Sequence, residues 1–571
     1  MSMDFKSMIA GEIASALDIA FGNAPLAAQE IAGLLELPPD SAMGDYAFPC
    51  FKLAKALRKA PPMIAGELVK VIDARFLSRV EAVGGYLNFF IDKALYASAI
   101  LEEVLSLGER YGSGAEGEGK TVCIDYSSIN IAKRFHIGHL STTVLGNALN
   151  KIYSFLGYKC VGINHLGDWG TQFGKMIAAY KHWGSREMVE QGGVQALSDL
   201  YVRFHAEAEK DPSLDDEGRA WFKKIEQGDE EAVAIWKWFK ELTLKDADRV
   251  YDLLGVKFDS YAGESFYMDK MEPVIEELRE KGLLKESDGA QIVDLEEYKM
   301  PPMLVLKSDG STIYATRDLA AIFYRKKTYD FDKCLYVVAY QQDLHFRQLF
   351  KVVELMGYDW AKDLEHVSFG MVSYEGQALS TRHGHVIYLD ELLKRSVEKA
   401  RAIIDEKSPN LEDKDGIARK VGIGAVVFFA LSAGRIKDID FWWDRALNFD
   451  GETGPYVQYT YARCCSVLAK VTGELPAPDY SALADAEAQD VVRLLEQFPA
   501  LVREAAHRNE PSLITRFTVD LAQAYNKFYY EHRILDCEPA VSAARVAVTK
   551  AVREVIGTGL SLIGVEATEK M

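Results

Sequence analysis

The chain is 571 residues long, 49% hydrophobic, 26% charged and 11% aromatic, with a formal net charge of −19. That length exceeds what a single core fills, and the composition excludes a disordered, fibrous or membrane-spanning chain. The acidity excludes a uniformly basic nucleic-acid binder but leaves room for a local basic face, since phosphate recognition depends on where charges sit.

Seven cysteines without a CxxC spacing suggest neither a disulfide framework nor a structural zinc site. The N-terminus lacks the basic start and apolar block of a signal peptide, so a cytoplasmic protein without membrane contact is expected. Residues 1–112 form a first region, with GDYAFP at Gly44 to Pro49, LAKALRKAPP at Leu53 to Pro62, and the aromatic strand-like run GGYLNFFI at Gly84 to Ile91. A glycine-rich linker follows over Gly108 to Lys120.

The second region, 120–449, opens with a βαβ pattern. TVCIDYSS (Thr121 to Ser128) is β-rich, and Leu140, Val144, Leu145, Ala148, Leu149, Ile152 and Phe155 recur at helical spacing. KCVGIN (Lys159 to Asn164) then returns as a strand, and about forty residues is the size of a crossover in a parallel sheet. Residues 180–255 read as a helical insertion of mixed charge. A hairpin turn is expected at Asp309-Gly310, and KCLYVVAY (Lys333 to Tyr340) is the apolar run of a buried parallel strand. The third region, 450–571, is helical, with Phe517, Leu521, Tyr525 and Phe528 on one amphipathic face. The expected fold is α/β: a Rossmann-like parallel sheet in the centre, an N-terminal α+β domain and an all-α C-terminal domain.

The strongest local feature is SSINIAKRFHIGHL, Ser127 to Leu140, between the first strand and its helix. Ligands of a parallel sheet bind at the carboxyl ends of its strands, and the free N–H groups of a helix start favour anions. His136 and His139 are placed in the entry turn to donate hydrogen bonds to phosphate, Lys133 adds charge, and Gly138 leaves room for close approach of a nucleotide. Two histidines alone are as readily a capping and packing detail. Strand, polar loop, HIGH and helix in that order resemble the signature of class I aminoacyl-tRNA synthetases and related nucleotidyltransferases.

The resemblance then runs over nearly the whole chain. YSSINIAKRFHIGHLSTTVLGNAL and NHLGDWGTQFGKM (Asn164 to Met176) are similar to the catalytic opening of arginyl-tRNA synthetases. LGVKFDSYAGES (Leu254 to Ser265), KSDGSTIYATRDLA (Lys307 to Ala320), VVAYQQDLHFRQLF (Val337 to Phe350) and FGMVSYEGQALSTRHG (Phe369 to Gly384) continue it. The GDY, LAK and GYLNFF stretches resemble that family's additional tRNA-binding domain. GETGPYVQYTYAR, DLAQAYNKFYYEHRIL and the terminal GVEATEKM resemble its helical anticodon-binding domain.

Membership would imply a ligase that activates L-arginine with ATP and passes it to tRNA(Arg), activation requiring bound tRNA. Mg²⁺ would arrive with ATP, no protein-caged metal is implied, and a monomer is expected. A guanidinium carries five donors, so its pocket needs acceptors. The resemblance assigns that role to Tyr314 and Asp318, with Asp125 (usually glutamate) lining the same pocket, and gives the amino acid's polar head to Ser128, Asn130, His136 and Gln342. His136, Gly138, His139, Ser380, Thr381 and Arg382 would bind ATP, and Lys133, His136, His139 and Arg382 would act in catalysis. Asn88 with Tyr86, Phe89 and Phe90, and Tyr456, Gln458, Tyr459, Tyr461 and Arg463, are the candidates for tRNA contact.

The chain also departs from the family pattern. The counterpart of the KMSKS loop is Ala378-Leu379-Ser380-Thr381-Arg382, without either lysine, so Lys133 and Arg382 would share their work. Ile129 and Arg134 stand where proline is common, and Ser141 where arginine is. Two alternatives follow. A class I synthetase for another amino acid is opposed by the missing zinc-type cysteines and by Tyr314 with Asp318. A catalytically silent RNA-binding paralogue, suggested by the lost lysines, is opposed by the intact histidines and guanidinium pocket.

Overall fold

A computed structural model describes residues 4–571 apart from 23, 41–42 and 379–386. It divides into two units whose segments interleave along the chain. The first gathers Met1–Tyr111, Arg463–Phe498 and Asp520–Gly557, and the second Gly112–Ala462, Pro499–Val519 and Thr558–Met571.

In the first unit, helix Phe5–Phe21 begins where the Asp4 carboxylate accepts the Ser7 N–H (3.0 Å) and stops at left-handed Gly22. Strands β1 (Tyr46–Pro49), β2 (Leu77–Val83) and β3 (Tyr86–Ile91) form an antiparallel sheet with β3 in the middle. Alternation along β3 sends Leu87, Phe89 and Ile91 into the core and leaves Tyr86, Asn88 and Phe90 sharing the other face. Helix Lys93–Leu107, capped by Asp92, brings the Tyr96 hydroxyl to Glu496 (2.5 Å). The Tyr111 hydroxyl donates to the Leu495 carbonyl (2.9 Å), so segments distant in sequence close one core.

The second unit is built on a parallel sheet of β4 (Thr121–Asp125), β5 (Lys159–Ile163), β9 (Lys333–Tyr336) and β10 (Leu364–His366), in the order β10-β9-β4-β5. Helix Leu140–Phe155 crosses from β4 to β5, and Gly157, at φ 89°, turns the chain after it. Helices Tyr314–Tyr329 and Asp343–Leu355 precede β9 and β10. The expected insertion is four helices, Thr171–Trp183, Arg186–Ala208, Ser213–Glu226 and Glu230–Leu254, the second kinked at Gly193. Two of them cross so closely that a Cβ on Gly174 would lie 2.0 Å from the Gly218 carbonyl oxygen.

The expected hairpin at Asp309-Gly310 reduces to a turn. Across Asp309-Gly310, after β8 (Met303–Leu306), the pairing is the single antiparallel bridge Leu306–Thr312, because helix Tyr314–Tyr329 starts two residues later. The sheet partner of β8 is instead β7 (Ala290–Val293), paired in turn with β6 (Leu284–Ser287) across a second Asp-Gly step. There Asp288 (φ 50°) and Gly289 (φ 77°) are both left-handed, as a two-residue hairpin loop of that twist requires. A third small sheet joins β11 (Val372–Tyr374), β12 (Gln377–Ala378) and β13 (Ile439–Phe441). Beyond residue 450 every regular element is helical, and Phe517, Leu521, Tyr525 and Phe528 are all buried. No helix among the described residues is long and apolar enough to cross a membrane.

Candidate active site

β4 ends at Asp125 because the chain then enters an irregular loop with three left-handed residues that are not glycine: Ser127 (φ 70°), Ser128 (φ 46°) and Ala132 (φ 61°). Each such conformation costs roughly 1–3 kcal/mol, so the surroundings must hold it. They do so with buried hydroxyls. The Ser127 N–H donates to Thr142 Oγ1 (3.0 Å), whose own proton goes to the Val337 carbonyl (2.8 Å). Ser127 Oγ meets the Tyr251 hydroxyl (2.8 Å), and the Ala132 N–H donates to Thr243 Oγ1 (2.9 Å).

The loop leads into a 3₁₀ turn at Ile137–His139, continuous with helix Leu140–Phe155. The Gly138 N–H donates to His136 Nδ1 (3.1 Å), and the His136 N–H donates to His139 Nδ1 (3.2 Å). A backbone N–H only donates, so both Nδ1 atoms are unprotonated and each neutral ring carries its proton on Nε2. Burial lowers both histidines, helped at His136 by Lys133 and at His139 by His136 and Lys133, and His139 falls to about 3. Two neutral N–H donors with ring centroids 4.0 Å apart therefore sit at a helix start. Gly138 is required by its own neighbour, since a Cβ there would lie 2.8 Å from His136 Cε1. Lys133 is exposed, 5.9 Å from the Tyr201 ring.

The same strand end opens a second cluster. Asp125 Oδ1 accepts from Ser128 Oγ (2.9 Å), and Asp125 Oδ2 lies 2.7 Å from the guanidinium of Arg325, a residue 1% exposed. Asp125 was expected to line a guanidinium pocket, and here its carboxylate already pairs with an arginine of the chain itself. Burial disfavours charge on Arg325, yet Asp125 beside it raises the guanidinium well above its ordinary range. Arg325 also lies 3.3 Å from His165 Nδ1. As a donor only, it makes that nitrogen the acceptor and puts the His165 proton on Nε2, where it has no hydrogen-bond partner and stands 3.8 Å from Asp318 Oδ1.

Asp318 Oδ2 lies 2.7 Å from His345 Nε2, and the His345 ring lies 4.9 Å from that of Tyr314. Burial alone would raise the Asp318 carboxyl, but the His345 hydrogen bond, with His165 and Arg325 nearby, holds it below the ordinary carboxylate range. Its side chain keeps 29% of its exposure, and Tyr314 is exposed, so both remain open to a ligand.

The two clusters join. Thr143 Oγ1 lies 2.7 Å from the His139 carbonyl and 3.0 Å from Ser127 Oγ. Ser127 adjoins Ser128, and from there the contacts run through Asp125, Arg325 and His165 to Asp318. Asn130 packs beside Gly167, and Gln342 is exposed at the start of helix Asp343–Leu355. Ser380, Thr381 and Arg382 lie outside the described residues.

The candidate RNA contacts divide by burial. Phe89 and Gln458 are fully buried, which removes both as RNA contacts. Phe89 is core, and the Gln458 amide donates to the carbonyls of Lys420 (3.1 Å) and Glu566 (2.7 Å). On the open face of β3, Asn88 is only 6% exposed, between Tyr86 and Phe90, which carries the Arg79 guanidinium 3.8 Å from its ring centroid. Tyr456 and Tyr461 are half-buried and Tyr459 is exposed. The Arg463 guanidinium lies 5.0 and 5.3 Å from the ring centroids of Tyr529 and exposed Tyr530.

Arg325, His165, His345 and Tyr251 were not among the sequence candidates. His165 stands inside the quoted NHLGDWG stretch and was legible there. Arg325 was not, since an arginine eleven residues into a helix reads as a surface charge until its burial is known. Among the described residues, the one group of three possible metal ligands drawn together is Asp485, Glu487 and His532 in the first unit, and none surrounds the HIGH turn.

Comparison with known proteins places these features in a family. The description "tRNA synthetases class I (R), catalytic domain" matches residues 100–443, "DALR anticodon binding domain" 457–571, and "Arginyl tRNA synthetase N terminal domain" 6–91. An arginine–tRNA ligase of Alkaliphilus metalliredigens is 56% identical over 547 residues, 95% of this chain and 96% of its own. One of Clostridium botulinum is 51% identical over the whole of both chains. The solved arginyl-tRNA synthetase of Thermus thermophilus superposes with a TM-score of 0.80 at 26% identity, covering 99% of this chain and 100% of its own. With the HIGH turn, the parallel sheet and matches along the full length, the chain belongs to the arginyl-tRNA synthetase family of class I.

Proposed function

We infer that this chain is an arginine–tRNA ligase, which activates L-arginine with ATP and transfers it to the 3′ end of tRNA(Arg). In the first step the arginine carboxylate attacks the α-phosphorus of ATP, forming arginyl-adenylate and releasing pyrophosphate. In the second a terminal ribose hydroxyl of tRNA attacks the activated carbonyl, and AMP leaves. Neither step needs a nucleophilic side chain, so the protein's work is positioning and electrostatic stabilisation.

The residue roles are our proposal. His136 and His139, neutral and donating from Nε2, bind phosphate oxygens, with Gly138 setting the turn. Lys133 and Arg382 supply positive charge, and Ser380 and Thr381 complete the ATP contacts. Donors of this kind suit anions and not a cation, so a Mg²⁺ arriving with ATP would draw no ligand from the HIGH turn and would serve to neutralise phosphate charge. Asp318 and Tyr314 receive the guanidinium, with Asp125 acting at one remove through Arg325 and His165. Ser128, Asn130, His136 and Gln342 hold the amino acid's head. Tyr86, Asn88 and Phe90 at one end of the chain, and Tyr456, Tyr459, Tyr461 and Arg463 at the other, meet tRNA. Residues 1–112, 120–449 and 450–571 act as tRNA-binding, catalytic and anticodon-binding domains of a cytoplasmic monomer.

The observation that supports this reading most is the series of contacts that leads from the HIGH turn through Ser127, Asp125, Arg325 and His165 toward Asp318, linking donors suited to phosphate with a carboxylate suited to a guanidinium. Its test is arginine-dependent ATP–pyrophosphate exchange with tRNA(Arg) present, comparing the wild type with Asp318→Asn. Removing a hydrogen-bonded charge partner costs about 2–5 kcal/mol, so the arginine KM should rise roughly 30-fold to 5000-fold with little change for ATP. An unchanged arginine KM would place the guanidinium elsewhere.

A further inference from the structure

Arg134 stands two residues before His136, the first residue of the HIGH segment. Its guanidinium reaches across to the start of helix Leu389–Lys407. NH2 lies 3.0 Å from both oxygens of Asp390 and 3.0 Å from Glu391 Oε1, while NH1 donates to Gln195 Oε1 (3.0 Å). The guanidinium carbon sits 3.5 Å from the centroid of the Tyr388 ring, and the side chain keeps only 16% of its exposure. Two backbone bonds run alongside: the Ile137 N–H donates to the Ile387 carbonyl and the Leu389 N–H to the Phe135 carbonyl, each at 2.9 Å, with His136 and Tyr388 paired antiparallel between them.

We propose that Arg134 is a positioning residue for the ATP site, tying the segment that carries His136 and His139 to residues 387–391. This rests on the reading of the HIGH turn as the site of ATP. Two isolated backbone bonds are a weak seam, and the guanidinium, with Nη2 on the Asp390 and Glu391 carboxylates, Nη1 on Gln195 and its carbon over the Tyr388 ring, closes it from the side. The seam reaches the chemistry directly. Phe135, one residue on, stacks against the His139 ring at 5.1 Å, and His136 lies within the paired segment. Because Asp390 and Glu391 are largely exposed, these ion pairs contribute little to stability, and the effect appears in catalysis.

The experiment measures arginine-dependent ATP–pyrophosphate exchange with tRNA(Arg), fitting KM for ATP and for arginine separately, together with the thermal midpoint. Arg134→Ala should raise the ATP KM about tenfold and the arginine KM by clearly less, since only His136 of the displaced pair also meets the amino acid, with the midpoint nearly unchanged. Arg134→Lys, which keeps charge but loses the fork and the stack, should fall between. The Asp390→Asn, Glu391→Gln double variant should raise the ATP KM in the same way, and combining it with Arg134→Ala should add little. Wild-type constants in Arg134→Ala and in the carboxylate variant would overturn the proposal while leaving the site standing. Wild-type constants in His136→Ala would instead overturn the reading of the HIGH turn. Equal losses for ATP and arginine would reduce Arg134 to a general structural role and likewise refute the proposal.

Discussion

Replacing Arg325 by methionine tests the charge arrangement on which the proposed guanidinium site depends. Arg325 is 1% exposed and the Asp125 side chain 7%, so the pair is removed from water on both sides. Each charge is expensive to desolvate, and the partner repays that cost only while it is present. Arg325→Met leaves Asp125 with the Ser128 hydroxyl alone, and a loss of about 3–5 kcal/mol is expected. Asp125→Asn leaves a buried guanidinium facing an amide and should lose a comparable amount. The double variant buries no charge at this place, so it should lose less than either single change, even though His165 Nδ1 also loses its donor. Denaturant unfolding followed by tryptophan fluorescence reads this, because Trp169 and Trp236 pack against each other in the same unit. If the double variant lost the sum of the two single losses, the ion pair would not be the unit of stability and the reasoning would fail.

Other consequences can be measured in the same preparations. Burial pushes the Glu264 carboxyl up to about 7, with Arg317 at 3.4 Å opposing it and Asp318 and Asp168 adding to it. A carboxyl raised on folding favours the native state below the unfolded value, near 4.5, and that contribution disappears as pH rises through 7. Glu264→Gln should therefore unfold at a higher temperature than wild type at pH 8.5, by up to about 3 kcal/mol in stability, and the gap should close near pH 5. A gap of equal size at both values would show that Glu264 does not titrate in this window. Gly138→Ala forces the His136 ring away from a Cβ that would sit 2.8 Å from its Cε1. The exchange rate should fall about a hundredfold with the thermal midpoint nearly unchanged, and a fully active variant would show that the turn tolerates the shift.

How much of this was legible depends on the range of the interaction. The HIGH turn could be read in sequence because a strand, a polar loop and a helix start are local, and the hydrogen bonds that set both imidazole tautomers span two or three residues. The parallel sheet was legible from periodicity and apolar runs. The β6–β7 hairpin carried an Asp-Gly signal as clear as the one at Asp309-Gly310. Only the arrival of helix Tyr314–Tyr329 decided which of the two became a hairpin.

Amino-acid sequence by itself determined the fold class and the helical C-terminal part, and its resemblance to a family supplied Tyr314 and Asp318 as the residues proposed for a guanidinium. It could not say that Asp125 was already neutralised, because Arg325 lies two hundred positions away and only packing makes that arginine a buried partner. Nor could it tell core from surface on β3 or at Gln458, where polar and aromatic residues look alike until neighbours cover them. Hydrogen bonding along the chain follows from local order. Charge pairing and burial follow from which surfaces meet, and that is settled only when distant segments share one core.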